Sequence, residues 1–248
     1  MNKIVKEFTQ EYYLTAGECN PQGYMPVTLI ASRIIEVATF HANSLDVGYS
    51  RLKEHGQAWV LSRLAIEMYR YPSVNDAYSV TTWIEGFNRH FSERNFEIKS
   101  ASGETLGYVR SIWVAIDIEK REAADIGYLD ILPSLVSDRP CPIAKQGRVR
   151  PLIGSYRTSP YRFRFTDCDF NRHVNTVRYL ERILNQWTLD FHDTHVIERF
   201  EVSFMQETRY GAEVSVNVLD IDQTASQCEI VEAGNVKCRA LLRFKALD

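Results

Sequence analysis

The chain has 248 residues, 45% hydrophobic and 25% charged, with 29 basic and 32 acidic side chains and a net charge of −3. That length fits one large domain or two small ones, the composition excludes general disorder, and the acidic balance lacks the positive excess of a nucleic-acid binder. The first ten residues mix Lys3, Lys6 and Glu7 with few apolar side chains, and no later run is apolar enough to span a membrane, so a secretory signal and membrane insertion are not expected and the cytoplasm is.

In chain order, the first periodic stretch runs from Pro26 to Leu45, where Val27, Ile30, Ile34, Val37, Ala38 and Leu45 recur at steps of three, four or seven. The spacing predicts an amphipathic helix, with Pro26 in its first turn. Alternation at Tyr78, Val80, Thr82 and Ile84 predicts a strand, and Phe96–Ile98 with Tyr108–Ile116 predicts a hairpin around Ser102-Gly103. From Asp117 to Pro160 periodicity fades and Pro133, Pro140, Pro142, Pro151 and Pro160 accumulate, as in a connection between domains. A second helical stripe follows from Val174 to Phe191, carried by Val177, Leu180, Ile183, Leu184, Trp187 and Phe191. Phe200–Met205 is strand-like, Val214, Val216, Val218 and Ile221 predict another strand, and Cys228–Val231 with Val236–Phe244 predicts a second hairpin around Ala233-Gly234-Asn235.

The halves also align by residue type. Tyr12, Cys19, Asn20 and Gln22 stand 149 positions before Tyr161, Cys168, Asp169 and Asn171; Arg63, Ala77, Ser79 and Val80 stand 136 before Arg199, Glu213, Ser215 and Val216; Gly103 stands 131 before Gly234. Such a period near half the chain length implies duplication of one helix-plus-antiparallel-sheet unit, an α+β architecture with shorter loops in the second copy. We place a first domain at 1–130, a linker at 131–155 and a second domain at 156–248. Between Arg139 and Arg182, ten basic residues face only Asp167, Asp169 and Glu181, which suggests either a solvated linker face or a landing site for an acidic partner.

Five scattered cysteines without a CxxC pair read as reduced thiols, and six histidines without HExxH give no metal motif, so neither metal nor other cofactor is expected. The densest polar cluster is Asp167-Cys168-Asp169-Phe170-Asn171-Arg172-His173-Val174-Asn175, just before the second helix. In an extended or turn conformation Asp169, Asn171 and His173 alternate and can converge as carboxylate, amide and imidazole. Helix capping accounts for one of these side chains but not for three plus a histidine. The N–H groups near His173 and Val174, at a helix start, are the expected holders of an oxyanion.

With these residues in view, the chain resembles the acyl-acyl carrier protein (acyl-ACP) thioesterases of plants and bacteria over nearly its whole length. The family segment D-x-N-x-H-x-N with a following Tyr stands here as Asp169, Asn171, His173, Asn175 and Tyr179. The first half is similar at Trp59-Val60-Leu61-Ser62-Arg63, Tyr69-Arg70-Tyr71-Pro72, Asp76, Val80-Thr81-Thr82-Trp83, Arg94 and Ser111-Ile112-Trp113-Val114. The resemblance implies a tandem double hotdog, each half one long helix wrapped by an antiparallel β-sheet. It also implies hydrolysis of long-chain fatty acyl-ACP thioesters to free fatty acid and ACP, ending chain elongation. Glu207, by itself an ordinary surface carboxylate, matches an acidic residue that the family places beside the Asp, Asn and His; plant enzymes follow it with Cys, whereas Thr208 stands here and excludes a thiol nucleophile at that position. The site expected is therefore Asp169, Asn171, His173 and Glu207, with Asp169 or Glu207 as general base and water as nucleophile, although carboxylate attack to an anhydride stays open. The first copy has Asn20, Gln22 and Tyr24 at the matching positions, so one site per chain is expected, with the first domain shaping an acyl channel near Trp59, Trp83 and Trp113. Expected partners are acyl carrier protein with its acyl-phosphopantetheine and, as an open option, a second copy of the chain in a homodimer. An acyl-CoA thioesterase, a non-catalytic acyl-thioester binder and a hydratase on the same fold are the alternatives.

Overall fold

The computed structural model describes residues 5–247; Lys3 of the amino-terminal segment lies outside them. The chain divides into two compact units, one ending at Lys145 and the other starting at Gln146.

In the first unit, strand β1 (Glu7–Tyr13) leads into helices α1 (Val27–Ser44) and α2 (Tyr49–Lys53), then strands β2 (Gln57–Met68), β3 (Ala77–Phe87), β4 (Phe91–Ser100) and β5 (Thr105–Asp117), and a short helix α3 (Leu132–Leu135). The strands run antiparallel in the order β1-β3-β4-β5-β2. The apolar stripe of α1 buries Val27, Ile30, Ile34 and Val37 completely or nearly so, each contributing roughly 1.5–3 kcal/mol. Pro26, expected in the first turn, is instead the N-cap, with extended backbone.

Beyond β5 the segment through Cys141 and Ile143 returns to the sheet. Arg110 donates to the carbonyls of Ile143 at 2.9 Å and Cys141 at 2.7 Å, and the Trp83 indole donates to the Arg139 carbonyl at 2.9 Å. This segment covers polar groups of β4 that would otherwise meet water: Glu97, 3% exposed, accepts from Thr105 and Tyr108 and pairs with Arg139.

The second unit repeats the scheme with β6 (Arg157–Arg162), α4 (Thr176–Leu184), α5 (Leu189–Thr194), β7 (His195–Phe204), β8 (Glu213–Asp220), β9 (Ala225–Glu232) and β10 (Asn235–Ala246), in the order β6-β8-β9-β10-β7. Strand for strand this is the order of the first unit, so the duplication inferred from sequence offsets is a duplication of topology, and each unit is a hotdog fold. The β9–β10 hairpin turns at Ala233-Gly234, both with positive φ, as expected for a two-residue connection.

One expectation needs correction. The stripe from Val174 to Phe191 is not one long helix: α4 stops at Asn185, and a new helix starts after Thr188, whose hydroxyl accepts the Phe191 N–H at 3.3 Å. Asn and Thr offer the backbone side-chain bonds that compete with a continuing helix. Trp187 and Phe191 keep their apolar role by packing against Phe244, with ring centroids 5.0 Å away in both cases.

Candidate active site

The site is a loop closed on itself just before α4. The Asp169 N–H donates to the His173 carbonyl at 2.8 Å, and the Arg172 N–H donates back to the Asp169 carbonyl at 3.0 Å. The Asp169 carboxylate oxygen Oδ1 accepts the N–H of Asn171 at 2.8 Å and of His173 at 3.2 Å. Arg172 completes the reversal with φ 64°, a left-handed conformation uncommon for a long side chain. Asp167, 4% exposed, anchors the entry: its carboxylate accepts the Arg164 N–H and the Tyr161 hydroxyl, and its carbonyl accepts the Asn175 N–H. Asn175 then caps α4 by accepting from the Val177 N–H at 2.9 Å.

The strand end after β7 lies alongside this loop. Val174 donates to the Thr208 carbonyl at 2.8 Å, and His173 bridges to Arg209. That pairing brings Glu207 to the imidazole, with His173 Nε2 and Glu207 Oε1 3.3 Å apart and Arg209 3.9 Å from the same oxygen. Asp169 and His173 are half-buried, whereas Asn171 and Glu207 are exposed. All four expected residues are thus held by one loop and the strand end beside it, but in two roles: Asp169 spends an oxygen on the loop backbone, while Glu207 and His173 pair with each other. Arg209 is an addition that sequence reading passed over; its only signal was adjacency to Glu207.

The expected oxyanion holders are not available. The N–H groups of His173, Val174 and Asn175 are committed to Asp169, Thr208 and Asp167 respectively. The loop needs those bonds to close, and the Thr208 partner is invisible at the sequence level because it comes from a segment 34 positions further along the chain. The side-chain amide of Asn171, which is exposed, is a further donor on the loop.

Cys168 has a packing role in both copies: its thiol donates to the Arg164 carbonyl at 3.6 Å, as Cys19 does to the Thr15 carbonyl at 3.4 Å. Burial, then Asp167 and Asp169, push the Cys168 thiol up, away from the thiolate. Tyr179 is buried between Phe163 and Phe204, its phenol pushed up by burial. Among the described residues no group of His, Cys, Asp or Glu side chains is placed to hold a metal. A cleft of about 340 Å³ in the same unit is lined by Gln186, Trp187, Phe191 and Phe244 among others, so it sits past the other end of α4 from His173.

The first unit builds the same loop from different side chains. Asn20 N–H donates to the Tyr24 carbonyl at 2.8 Å, Gly23 N–H to the Asn20 carbonyl at 2.9 Å, Tyr24 N–H to Asn20 Oδ1 at 2.8 Å, and Met25 N–H to the Pro72 carbonyl at 2.9 Å. Each bond has its counterpart 149 or 136 positions later. Where the second unit has His173 and Glu207, the first has Tyr24 and Tyr71.

Comparison with known proteins agrees with this architecture. The family model of the acyl-ACP thioesterase N-terminal domain matches residues 5–130, and that of the C-terminal domain matches residues 152–246. The chain is 25% identical over 266 residues to a chloroplastic palmitoyl-acyl carrier protein thioesterase of Arabidopsis thaliana, covering 99% of this chain and 63% of that protein. It is 26% identical over 228 residues to the oleoyl-acyl carrier protein thioesterase of Coriandrum sativum, covering 83% and 60%; the chain thus spans a little over half the length of these curated relatives. Among solved structures, an acyl-ACP thioesterase from Bacteroides thetaiotaomicron is 30% identical with a TM-score of 0.91, covering 97% of this chain and 98% of that one. The 12:0-ACP thioesterase of Umbellularia californica shares the fold, with a TM-score of 0.86 at 18% identity over the full length of both chains. Two matched domain models in tandem, the duplicated hotdog topology and the Asp-Asn-His loop lead to one conclusion: the chain belongs to the acyl-ACP thioesterase family.

Proposed function

We propose that the chain hydrolyses long-chain fatty acyl-ACP thioesters to free fatty acid and ACP, ending chain elongation, with Asp169, Asn171, His173 and Glu207 as its site. The observation that carries this reading is the Glu207–His173 pair, 3.3 Å apart, in a loop whose counterpart in the other unit has the same backbone bonds but two tyrosines. A purely structural loop would need neither the carboxylate nor the imidazole.

In this mechanism Glu207 takes a proton from water as the water oxygen bonds to the acyl carbonyl carbon. The Asn171 amide donates to the oxygen that becomes negative, and Asp169 holds the loop that presents Asn171 and His173. When the tetrahedral intermediate collapses, the C–S bond breaks and the sulfur leaves with its electron pair; His173 passes it the proton that Glu207 received. A thiol ionises near pH 8.5, so the thiolate is a good leaving group and this protonation matters less than in amide hydrolysis. Glu207 is assigned the proton because its Oε1 lies 3.3 Å from the imidazole that relays it, whereas Asp169 Oδ1 is spent on two backbone N–H groups.

The first unit takes the acyl chain in this reading. Trp59 lies opposite Ala115 in the β2–β5 pair, and Trp113 shares its strand face two residues away; both are half-buried, with indole N–H groups bonded to the Val47 carbonyl and the Ser111 hydroxyl. Trp83 is fully buried beneath Arg139 and serves the core. The domain division at 1–130, 131–155 and 156–248 and the cytoplasmic location belong to the same proposal.

The test is hydrolysis of acyl-ACP and acyl-CoA of several chain lengths by the purified protein. Long-chain acyl-ACP should have the higher kcat/KM, and Glu207→Gln should lower kcat on the order of 10²-fold. Acyl-CoA as the better substrate would favour the acyl-CoA thioesterase reading, and binding without turnover would leave only an acyl-thioester binder.

A further inference from the structure

The duplicated loop gives an internal comparison that isolates what the second copy has added beyond chemistry. Around the loop, positions related by the same offsets carry opposite surfaces. The second unit presents Phe165, Phe170 and Tyr210, which are 84%, 80% and 67% exposed; the first has Ala16, Pro21 and Val74 there. The second unit also presents Arg164, Arg172 and Arg209, all exposed, where the first has Thr15, Gly23 and Ser73.

These positions share backbone structure, so the fold does not require the substitutions. Glu18 N–H donates to the Thr15 carbonyl as Asp167 N–H does to Arg164, and Cys19 N–H donates to Ala16 as Cys168 N–H does to Phe165. Asp76 N–H donates to Ser73 as Ala212 N–H does to Arg209. At one position the exchange is made against the fold: Gly23 has φ 80° and Arg172 has φ 64°, so an arginine stands where glycine is the unstrained choice. Exposed aromatic rings also cost solubility.

The charge is open to a partner. Much of the basic excess between Arg139 and Arg182 is neutralised within the chain, Arg139 by Glu7 and Glu97, Lys145 by Glu85 and Glu93, Arg157 by Asp220, and Arg178 and Arg182 by Glu181. Among the described residues Arg164 and Arg172 form no ion pair, and Arg209 is held only at 3.9 Å from Glu207. Aromatic and arginine side chains together are the composition of protein-binding hot spots.

We propose that Phe165, Phe170 and Tyr210, with Arg164, Arg172 and Arg209, form a docking surface around the site mouth for an acidic carrier protein that delivers its acyl thioester on a flexible arm. The proposal rests on the functional reading above and adds the face on which the carrier sits. The aromatic rings anchor a helix or loop of the carrier beside the opening, and the arginines pair with its carboxylates and set its orientation. A carrier docked on this rim is within an arm's length of Glu207 and His173, whereas the six matching positions of the first unit carry neither charge nor aromatic rings.

Binding of holo carrier protein, without an acyl group, tests docking apart from hydrolysis. Phe165→Ser and Tyr210→Ser should each raise Kd by about tenfold, Arg164→Glu should do so most strongly at low salt, and Val74→Ser in the first unit should leave Kd unchanged. Phe165→Tyr should restore binding, and melting temperatures should stay at the wild-type value because these side chains are exposed. On an acyl thioester of N-acetylcysteamine, which brings no protein to dock, Phe165→Ser and Tyr210→Ser should leave kcat/KM within about twofold of wild type. Kd values unmoved in all three variants would overturn the docking surface, as would equal losses on the carrier and N-acetylcysteamine substrates. Loss of sedimentation with phosphatidylglycerol vesicles at unchanged Kd would make the surface a lipid contact and overturn it as well. A wild-type protein that binds the carrier but hydrolyses no thioester would instead sink the functional reading and leave docking standing.

Discussion

The first unit contains a buried cation–imidazole contact whose pH signature follows from its geometry. His41 on α1 has no exposed surface, and Arg94 on β4 is 5% exposed. Arg94 Nη1 donates to His41 Nδ1 at 2.8 Å and to Thr82 Oγ1 at 3.2 Å, which leaves His41 Nε2–H to donate to the Val5 carbonyl at 2.9 Å. This network fixes a neutral imidazole, since a second ring proton would point at the guanidinium. Burial first, and then Arg94, push the imidazole down from 6.5 to about 4. Between those values the unfolded chain binds a proton that the folded chain refuses, so stability rises with pH across the window and is lost as pH falls. At about 1.4 kcal/mol per pH unit the full penalty is about 3 kcal/mol, of which about 2 kcal/mol accrues from about pH 7 to about pH 5. Urea unfolding at the two pH values, for wild type and for His41→Gln, measures it. Glutamine can still donate to Val5 and accept from Arg94 but does not titrate, so the variant should lose about 2 kcal/mol less than wild type over this interval. Parallel losses in both proteins would refute the assignment of a neutral, proton-refusing His41.

The site and fold give further tests. His173→Ala and Glu207→Gln should each lower kcat on the order of 10²-fold, and the double variant should lose little more than either alone if the pair handles one proton, as kinetics on a single acyl-ACP would show. Asp169→Asn should keep the wild-type melting temperature, because Asn20 closes the matching loop in the first unit, and turnover should fall by less than about tenfold, since Asp169 holds the loop and Glu207 takes the proton; collapse of the fold would refute the equivalence of the loops. Arg172→Gly should stabilise the protein by about 0.5–1 kcal/mol in denaturant unfolding, by relieving a left-handed arginine. Gly107→Ala should destabilise it by about 1–3 kcal/mol, since an added Cβ would stand 2.5 Å from the Glu67 carbonyl in the middle of the sheet.

Helix α1, both hairpins and the duplication were legible because periodicity and turn residues are local properties. Strand β1 was not, since Glu7–Tyr13 buries no residue and carries no hydrophobic alternation to detect. Strand β6 hid in a basic, proline-marked stretch: Pro160 is tolerated because β6 is the last strand in its unit's order, where a missing N–H costs no ladder bond. At the site, Asp169, Asn171 and His173 could be read together from their alternation. Glu207 could be placed only by resemblance, because what brings it to His173 is a pairing between segments 34 positions apart. The same long-range pairing takes the Val174 N–H, which is why the oxyanion donors inferred from a helix start were the wrong ones.

The loop before each helix is held mostly by main-chain groups bonding to one another, with two shared side-chain fasteners, the oxygen of Asn20 or Asp169 within the loop and the carboxylate of Glu18 or Asp167 at its entry. A loop built this way is indifferent to most of the side chains it displays. After duplication, one copy could therefore give up its imidazole and carboxylate without unravelling, and the other could accumulate rings and charges without first securing its shape. For protein engineering the first unit is then a socket with the same backbone. Tyr24 stands where the second unit has its histidine, exposed and held by the same main-chain bonds, so an imidazole could be written there without redesigning the loop, whereas Tyr71 is buried and a carboxylate in its place would have to be brought to the surface.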